Sequence, residues 1–461
     1  MRPSIVVWLC MVLGSAAAAQ PAPPERGPRL LGQNARSIER FELPNGLKVA
    51  FLRLESAPML AVEVWYHAGS KDERSDRRGS AHMFEHIMFK GTKRARPEAH
   101  AQDITGLGGY VNAATDEDAT HYINVVPADY LDFAVQLEAE RMRNLLFRKP
   151  TIDTEKSVVK EEIRQLENAP IAKGFLRFLA IAFTKHPYAW TAAGTLGDLD
   201  ATTPSDLKQF YDSYYQPNNA MLVVVGASTL EQVKVAAQTY FGAIPKAPDP
   251  PRPAASAQEP AGAGKRREVV EPGQIGLSIV GWHIPNAKHK DIYALQIAAM
   301  VLGAGDSSRI KVRLQTTDRK TGRPLGIEGG AEAIVREDPG MVIGLGAYLD
   351  PDQAQPVEAA VFDEVAKLAA KGPTDAELRK AKNQVQASFI FSLDRVQGLA
   401  EAIGRSWILT GDPRSFLTDV DQIENVSAAD VRRVVAQYMT PDKSTTVVIP
   451  PPQRTSGEGK R

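Results

Sequence analysis

Cysteine is almost missing from these 461 residues: one occurs, Cys10, inside the apolar stretch that opens the chain. A disulfide framework is therefore excluded, and so is thiolate chemistry once that stretch is removed. Net charge is missing as well, with 55 basic residues balancing 55 acidic ones. Nothing in the overall charge draws the chain to nucleic acid or to an anionic membrane surface. The opening apolar stretch, Ile5 to Gly14, falls short of the about 20 residues that a spanning helix needs. Histidine is scarce, at 8 residues, so a histidine cluster carries information.

What is present begins with a secretory pattern: Arg2 as the basic start, Ile5 to Gly14 as the apolar segment, and Ser15 to Ala19 as a small-residue cleavage site. Residues 1–19 are expected to leave as a signal peptide, with no stable membrane anchor. The destination is outside the cytoplasm, the periplasm in a Gram-negative host. The length predicts two or three domains, and a hydrophobic content of 43% is enough for real cores.

Residues 20–36 are rich in proline and arginine. Order is expected from Phe41, where Asn45-Gly46 reads as a hairpin turn between two short apolar runs. Met59 to Tyr66 and Thr120 to Val126 read as strands. Helices are predicted from about Ala128 to Leu146 and from about Asp153 to Asn168. Pro245, Pro248, Pro250, Pro251, Pro253 and Pro260 mark an interdomain connection. The resulting division is 37–247, a linker over 248–268, 269–450, and a polar tail over 451–461.

The second half repeats the first. Asp206, Tyr214, Pro217 and Val223 recur as Asp430, Tyr438, Pro441 and Val447, each 224 residues on. A period this long is a duplicated domain and not a solenoid.

The chemistry lies in Gly79 to Thr92, which contains H-x-x-E-H from His82 to His86. Residues four apart share a helix face, so two imidazoles can converge on one ion. Glu85, one position before the second histidine, overhangs the same place. Two nitrogens and a carboxylate beside them suit a catalytic zinc with an open coordination position and a base for water. This is the inverted form of the commoner H-E-x-x-H. The third ligand is sought on the helix beginning near Asp153. On a helical wheel Glu162 falls in the middle of an apolar stripe made by Val158, Val159, Ile163 and Leu166, Glu155 falls on the same stripe, and Glu161 faces solvent. Glu155 and Glu162 stand about 10 Å apart along the axis, so one is expected to bind metal and the other to support it. Glu138 also lies on an apolar stripe, where Arg141 offers an ordinary partner. His121, His186 and His283 read as structural. In the second copy Ala294, Ile297 and Ala298 stand where the first has His82, Glu85 and His86, so one zinc per chain is expected.

These residues, with Gly108 to Ala113, His186-Pro187-Tyr188 and Tyr214 to Gly226, resemble the pitrilysin/insulinase metallopeptidases, specifically the short two-domain members similar to processing peptidases. The resemblance implies an α+β fold of two homologous domains, each a mainly antiparallel sheet flanked by helices. It implies zinc on His82, His86 and Glu162, Glu85 as catalytic base, and Glu155 as the accessory glutamate. It further implies substrate pairing along a strand edge at Asn112 and Ala113, and a pocket wall at Phe89. The substrate would be a peptide or unfolded polypeptide, and a homologous partner subunit, as heterodimer or homodimer, would close the chamber. Two departures stand out. The family's substrate-holding arginine and tyrosine are represented by Arg313 or Arg319, with Ile327 at the tyrosine position. Ala172 and Leu176 replace the acidic residues that read arginine in mitochondrial enzymes. A catalytically inactive scaffold or peptide-binding subunit is the alternative.

Overall fold

The computed structural model describes residues 38–55, 58–252, 259, 266–317 and 321–453. The signal expected over 1–19, Arg319 and the tail from 454 onward lie outside them. The hairpin forms as its turn residues dictate. β1 (Glu39–Glu42) and β2 (Lys48–Arg53) pair antiparallel around Gly46, whose φ of 88° only glycine adopts freely. β3 (Met59–Tyr66), β4 (Tyr110–Thr115), β5 (Thr120–Pro127) and β6 (Ala220–Gly226) complete a six-stranded sheet in the order β1-β2-β6-β3-β5-β4. Only β2 and β6 run parallel.

The second half builds the same sheet without the opening strand. β7 (Arg266–Val269), β8 (Gly276–His283), β9 (Glu328–Ile334), β10 (Met341–Tyr348) and β11 (Ser444–Ile449) lie in the order β7-β11-β8-β10-β9, with only β7 and β11 parallel. The repeat holds down to its caps. Thr203 and Asp206 form a capping box on the helix Pro204–Tyr214, and Ser427 and Asp430 form its counterpart on Ala428–Tyr438. β7 begins inside the stretch expected to be linker, because Arg266 to Glu268 pair with Thr445 to Val447.

Side chains alternate across each strand, and both faces of the central strands β3, β6, β8 and β10 are buried. From β3, Leu60, Val62 and Val64 enter a core shared with the helices of their own half, whereas Ala61 and Trp65 enter a second one. That second cover comes from the other half: the helix Val396–Thr410 brings Leu399, Ala400, Ile403 and Trp407 against it. The reverse also holds. Phe175, Phe178 and Leu179 of the helix Pro170–Ala182 pack on Leu277, Ile279, Val447 and Ile449 of the second sheet. Each half thus lends one helix to the other, which the contiguous division by sequence does not anticipate. Gly404 permits the close approach, since a Cβ there would sit 2.2 Å from the Trp65 ring.

The halves are also joined by a buried polar cluster. Lys71 Nζ donates to Asp118 Oδ1 at 2.8 Å and to Glu337 Oε2 at 2.5 Å, and Arg336 pairs with Glu117. The Asp118 carboxylate also accepts the Glu337 backbone N–H at 3.0 Å and the Tyr188 hydroxyl at 2.5 Å. Burial alone would raise the Asp118 carboxyl, but the charges of Lys71 and Arg336 bring it down to about 2. Its folded pKa thus lies below the unfolded one. Its contribution is complete above about pH 4 and is lost as the pH falls through 2. Asp118→Asn is expected to cost about 1–3 kcal/mol near neutral pH, since it removes one of the two carboxylates that hold the buried Lys71 ammonium and leaves Glu337 alone with it. Denaturant unfolding of wild type and variant should show that gap narrowing as the pH approaches 2.

Candidate metal centre

The motif lies on a short helix, Ser80–Ile87, whose position is fixed from both sides. Its start has no side-chain cap of its own; Gly79 turns the chain at φ 89°. Glu73 supplies the cap from outside, accepting the Gly79 and Ala81 N–H groups at 2.9 and 2.8 Å. The lower face is held by aromatic rings: Phe84 lies 4.9 Å from Tyr215 and 5.7 Å from Phe210, and the Tyr122 hydroxyl donates to its carbonyl at 3.0 Å. With that face anchored, His82 and His86 point the other way, their ring centroids 5.1 Å apart.

The helix Lys149–Glu167 passes alongside and places its two candidate glutamates on opposite sides of the His86 ring. Glu162 Oε2 stands 3.5 Å from His82 Nε2 and 3.8 Å from His86 Nε2. Seven residues earlier, Glu155 Oε2 lies 3.3 Å from His86 Nδ1, on the far side of the ring. Its other oxygen is 3.2 Å from Lys90 Nζ, which also meets Glu98 Oε1 at 2.5 Å. Glu162 is not, however, at the centre of the buried stripe. The helix buries Ile152, Glu155, Val159 and Ile163, while Val158 is 43% exposed and the Glu162 side chain equally so. Counting Val158 and Leu166 as core displaced the wheel toward the cleft. Glu161 is exposed and pairs with Arg164 at 3.2 Å.

The donor set fits zinc. One ligand atom from each of His82, His86 and Glu162 lies within 4.8 Å of the others, and no other such group of three occurs among the described residues. Tetrahedral ligands at bond lengths of about 2.0–2.1 Å stand roughly 3.3 Å apart, so the observed spacing needs only small closure. Burial, and then the neighbouring His86, hold the His82 imidazole down at about 4, neutral and ready to ligate. Burial alone would lower His86, yet the Glu155 hydrogen bond and the charge of Glu162 raise it. Burial lifts the Glu85 carboxyl to about 7, with Glu162 adding to the rise and Thr115 and His86 opposing it. Glu155→Ala is expected to weaken zinc binding about 10–100-fold by freeing the His86 ring, as competition with a chromophoric chelator would measure.

The other candidates separate clearly. Arg141 grips Glu138, with its Nε 2.8 Å from Oε2, and Asn124 donates to the same carboxylate, which is the expected ion pair. His186 accepts from the Tyr188 N–H at 3.1 Å, His283 meets the Ala182 carbonyl at 3.0 Å, and His121 stacks on Trp65 at 3.9 Å. In the second half Ala294, Ile297 and Ala298 are buried core. β4, carrying Asn112 and Ala113, is the edge strand beside the histidine helix, and Ala113 packs into the core there. The Phe89 ring is partly buried against His100 and Tyr122, with the Arg141 guanidinium 5.3 Å above it. Arg313 lies on the helix Arg309–Gln315, Ile327 is exposed before β9, and Ala172 is buried. Glu73 and Lys90 escaped the sequence reading. An acid seven residues before a helix whose N-cap residue, Gly79, has no side chain to cap it was the available signal for Glu73.

The comparisons with known proteins agree along the chain. Residues 48–195 match the family described as Insulinase (Peptidase family M16), and residues 201–385 match the one described as Peptidase M16 inactive domain. The zinc protease PqqE of Helicobacter pylori is 30% identical over 417 residues, spanning 90% of this chain and 93% of that protein. An uncharacterised zinc protease of Streptomyces coelicolor is 28% identical, spanning 90% of each. The crystal structure of a protease from Helicobacter pylori superimposes with a TM-score of 0.83 at 29% identity, covering 90% of this chain and 99% of that one.

Proposed function

Since this chain belongs to the insulinase (M16) peptidase family, we propose that it is a zinc-dependent endopeptidase acting on peptides or unfolded polypeptides. The observation that carries the reading is the convergence of His82, His86 and Glu162 next to a carboxyl, Glu85, that titrates near neutrality. His82, His86 and Glu162 would hold one zinc per chain, which when bound supplies Lewis acidity for water and for the scissile carbonyl. Glu85 then takes a proton from the attacking water and delivers it to the leaving amine. Glu155 keeps the His86 ring in place. The edge of β4, at Asn112 and Ala113, is the site where an extended substrate adds as a further strand, and Phe89 borders it.

A homologous partner subunit completes the chamber in this reading. Ile327 stands where the family has a substrate-holding tyrosine, and Arg313 makes no hydrogen bond to the histidine helix among the described residues. The same departure favours the second reading, a scaffold or peptide-binding subunit. The N-terminal segment would direct the protein out of the cytoplasm, to the periplasm in a Gram-negative host; no described helix is long and apolar enough to cross a membrane.

The test is to purify the protein with whatever accompanies it, measure zinc, and follow cleavage of an unstructured peptide before chelation, after it, and after zinc is restored. Loss and recovery of cleavage with the metal is the expected result. Undiminished cleavage by metal-free protein would overturn the reading. Robust cleavage by the isolated monomer would remove the partner from it, and metal-bound protein that cleaves nothing even with its partner would favour the scaffold.

A further inference from the structure

β4 has two faces, and only one has been accounted for. Val111 and Ala113 point toward the core shared with the histidine helix. Tyr110, Asn112 and Ala114 point the opposite way, into a cavity of about 730 Å³ on the far face of the sheet. Its floor is made by Met59, Ile123 and Val125, with His121 beside them. Its outer wall is the start of the helix lent by the second half, Asp394 to Gln397, with Val396 turned inward and polar groups at the rim. Tyr110 stands at the mouth, 42% exposed.

Among the described residues β4 pairs with β5 on one side and with nothing on the other, so its outer edge offers main-chain groups to an extended peptide. A strand added there sends alternate side chains to opposite faces. One set faces the histidine helix, where Thr115 closes β4 beside Glu85. The other set overhangs the cavity. Side chains two apart on a strand are about 7 Å from each other, and the cavity is large enough for more than one.

We propose that this cavity is a substrate subsite that takes bulky apolar side chains at two alternate positions of a bound peptide. It would lie on the opposite face of the peptide from the hydrolytic groups. The inference rests on the reading of β4 as the substrate-bearing edge. It assigns specificity to residues of the second half that carry none of the chemistry: Val396 and Gln397 select, while His82 to His86 cut. A peptide shifted by one residue presents its other face, so preference should follow an alternating pattern and not overall hydrophobicity.

The test uses the full-length, zinc-loaded protein carrying Glu85→Gln, and two fluorescent decapeptides of equal charge. One has phenylalanine at two alternate positions, and the other has serine there. Anisotropy should show the phenylalanine peptide binding at least about tenfold tighter. Val396→Trp, which fills the cavity, should abolish that preference and leave the serine peptide unchanged. Gln397→Trp, at the rim and less demanding of the fold, should do the same. Equal binding of the two peptides, no binding of either, or a preference that survives both substitutions would overturn the subsite. Should the preference hold while protein with Glu85 intact cleaves neither peptide, the subsite stands and the peptidase reading falls.

Discussion

Replacing Glu85 by glutamine is expected to reduce peptide cleavage about 10²–10⁴-fold while zinc content stays at that of the wild type. The amide keeps the shape and some hydrogen-bonding capacity of the carboxyl but cannot accept the proton of an attacking water. Glu85 is not one of the three converging ligands. The loss should therefore appear in kcat with zinc analysis unchanged. Normal cleavage by a zinc-loaded Glu85→Gln protein would remove Glu85 from the role of base. Loss of zinc in parallel with activity would make it a ligand instead.

Glu162→Gln should act on the metal itself. The carboxylate is the acidic member of the three-residue group and lies within reach of both imidazoles, at 3.5 and 3.8 Å. Its neutralisation should weaken zinc binding by more than about a hundredfold, beyond what disturbing an outer partner such as Glu155 does. Glu161→Gln is the matching control. Its side chain faces solvent and pairs with Arg164, so zinc affinity and cleavage should stay within experimental scatter. Equal effects from the two neighbours would mean that the helix responds to charge and not to coordination. Direct zinc titration of the apo forms separates these outcomes.

Sequence made the histidine helix legible because two histidines four residues apart fall on one face of any helix. The duplication was legible for a similar reason: the capping pairs Thr203/Asp206 and Ser427/Asp430 are local and must keep their separation. Glu162 was found by a wheel whose centre was displaced. Periodicity identifies an apolar face, but it does not distinguish valine in a core from Val158 beside an open cleft. The exchanged helices were not legible. Pro170–Ala182 is apolar enough to demand burial, yet nothing within it says that its cover is a sheet ending at Ile449. The Lys71, Asp118 and Glu337 cluster joins residues up to 266 positions apart, and no local pattern marks such a pairing.

Shifted by the repeat of 224 residues, Pro170–Ala182 falls on Val396–Thr410 to within a turn. The two lent helices are therefore the same element of the duplicated unit, each docked on its sibling. Between separate chains that relation is called domain swapping, and it is how a monomeric fold becomes an obligate dimer. Here it is enclosed in one polypeptide: a swapped dimer whose subunits have been joined end to end. A cut in the connection around residues 253–265 would then not release two autonomous domains. It would yield two fragments, each with one sheet face bare, that regain structure only by complementing one another.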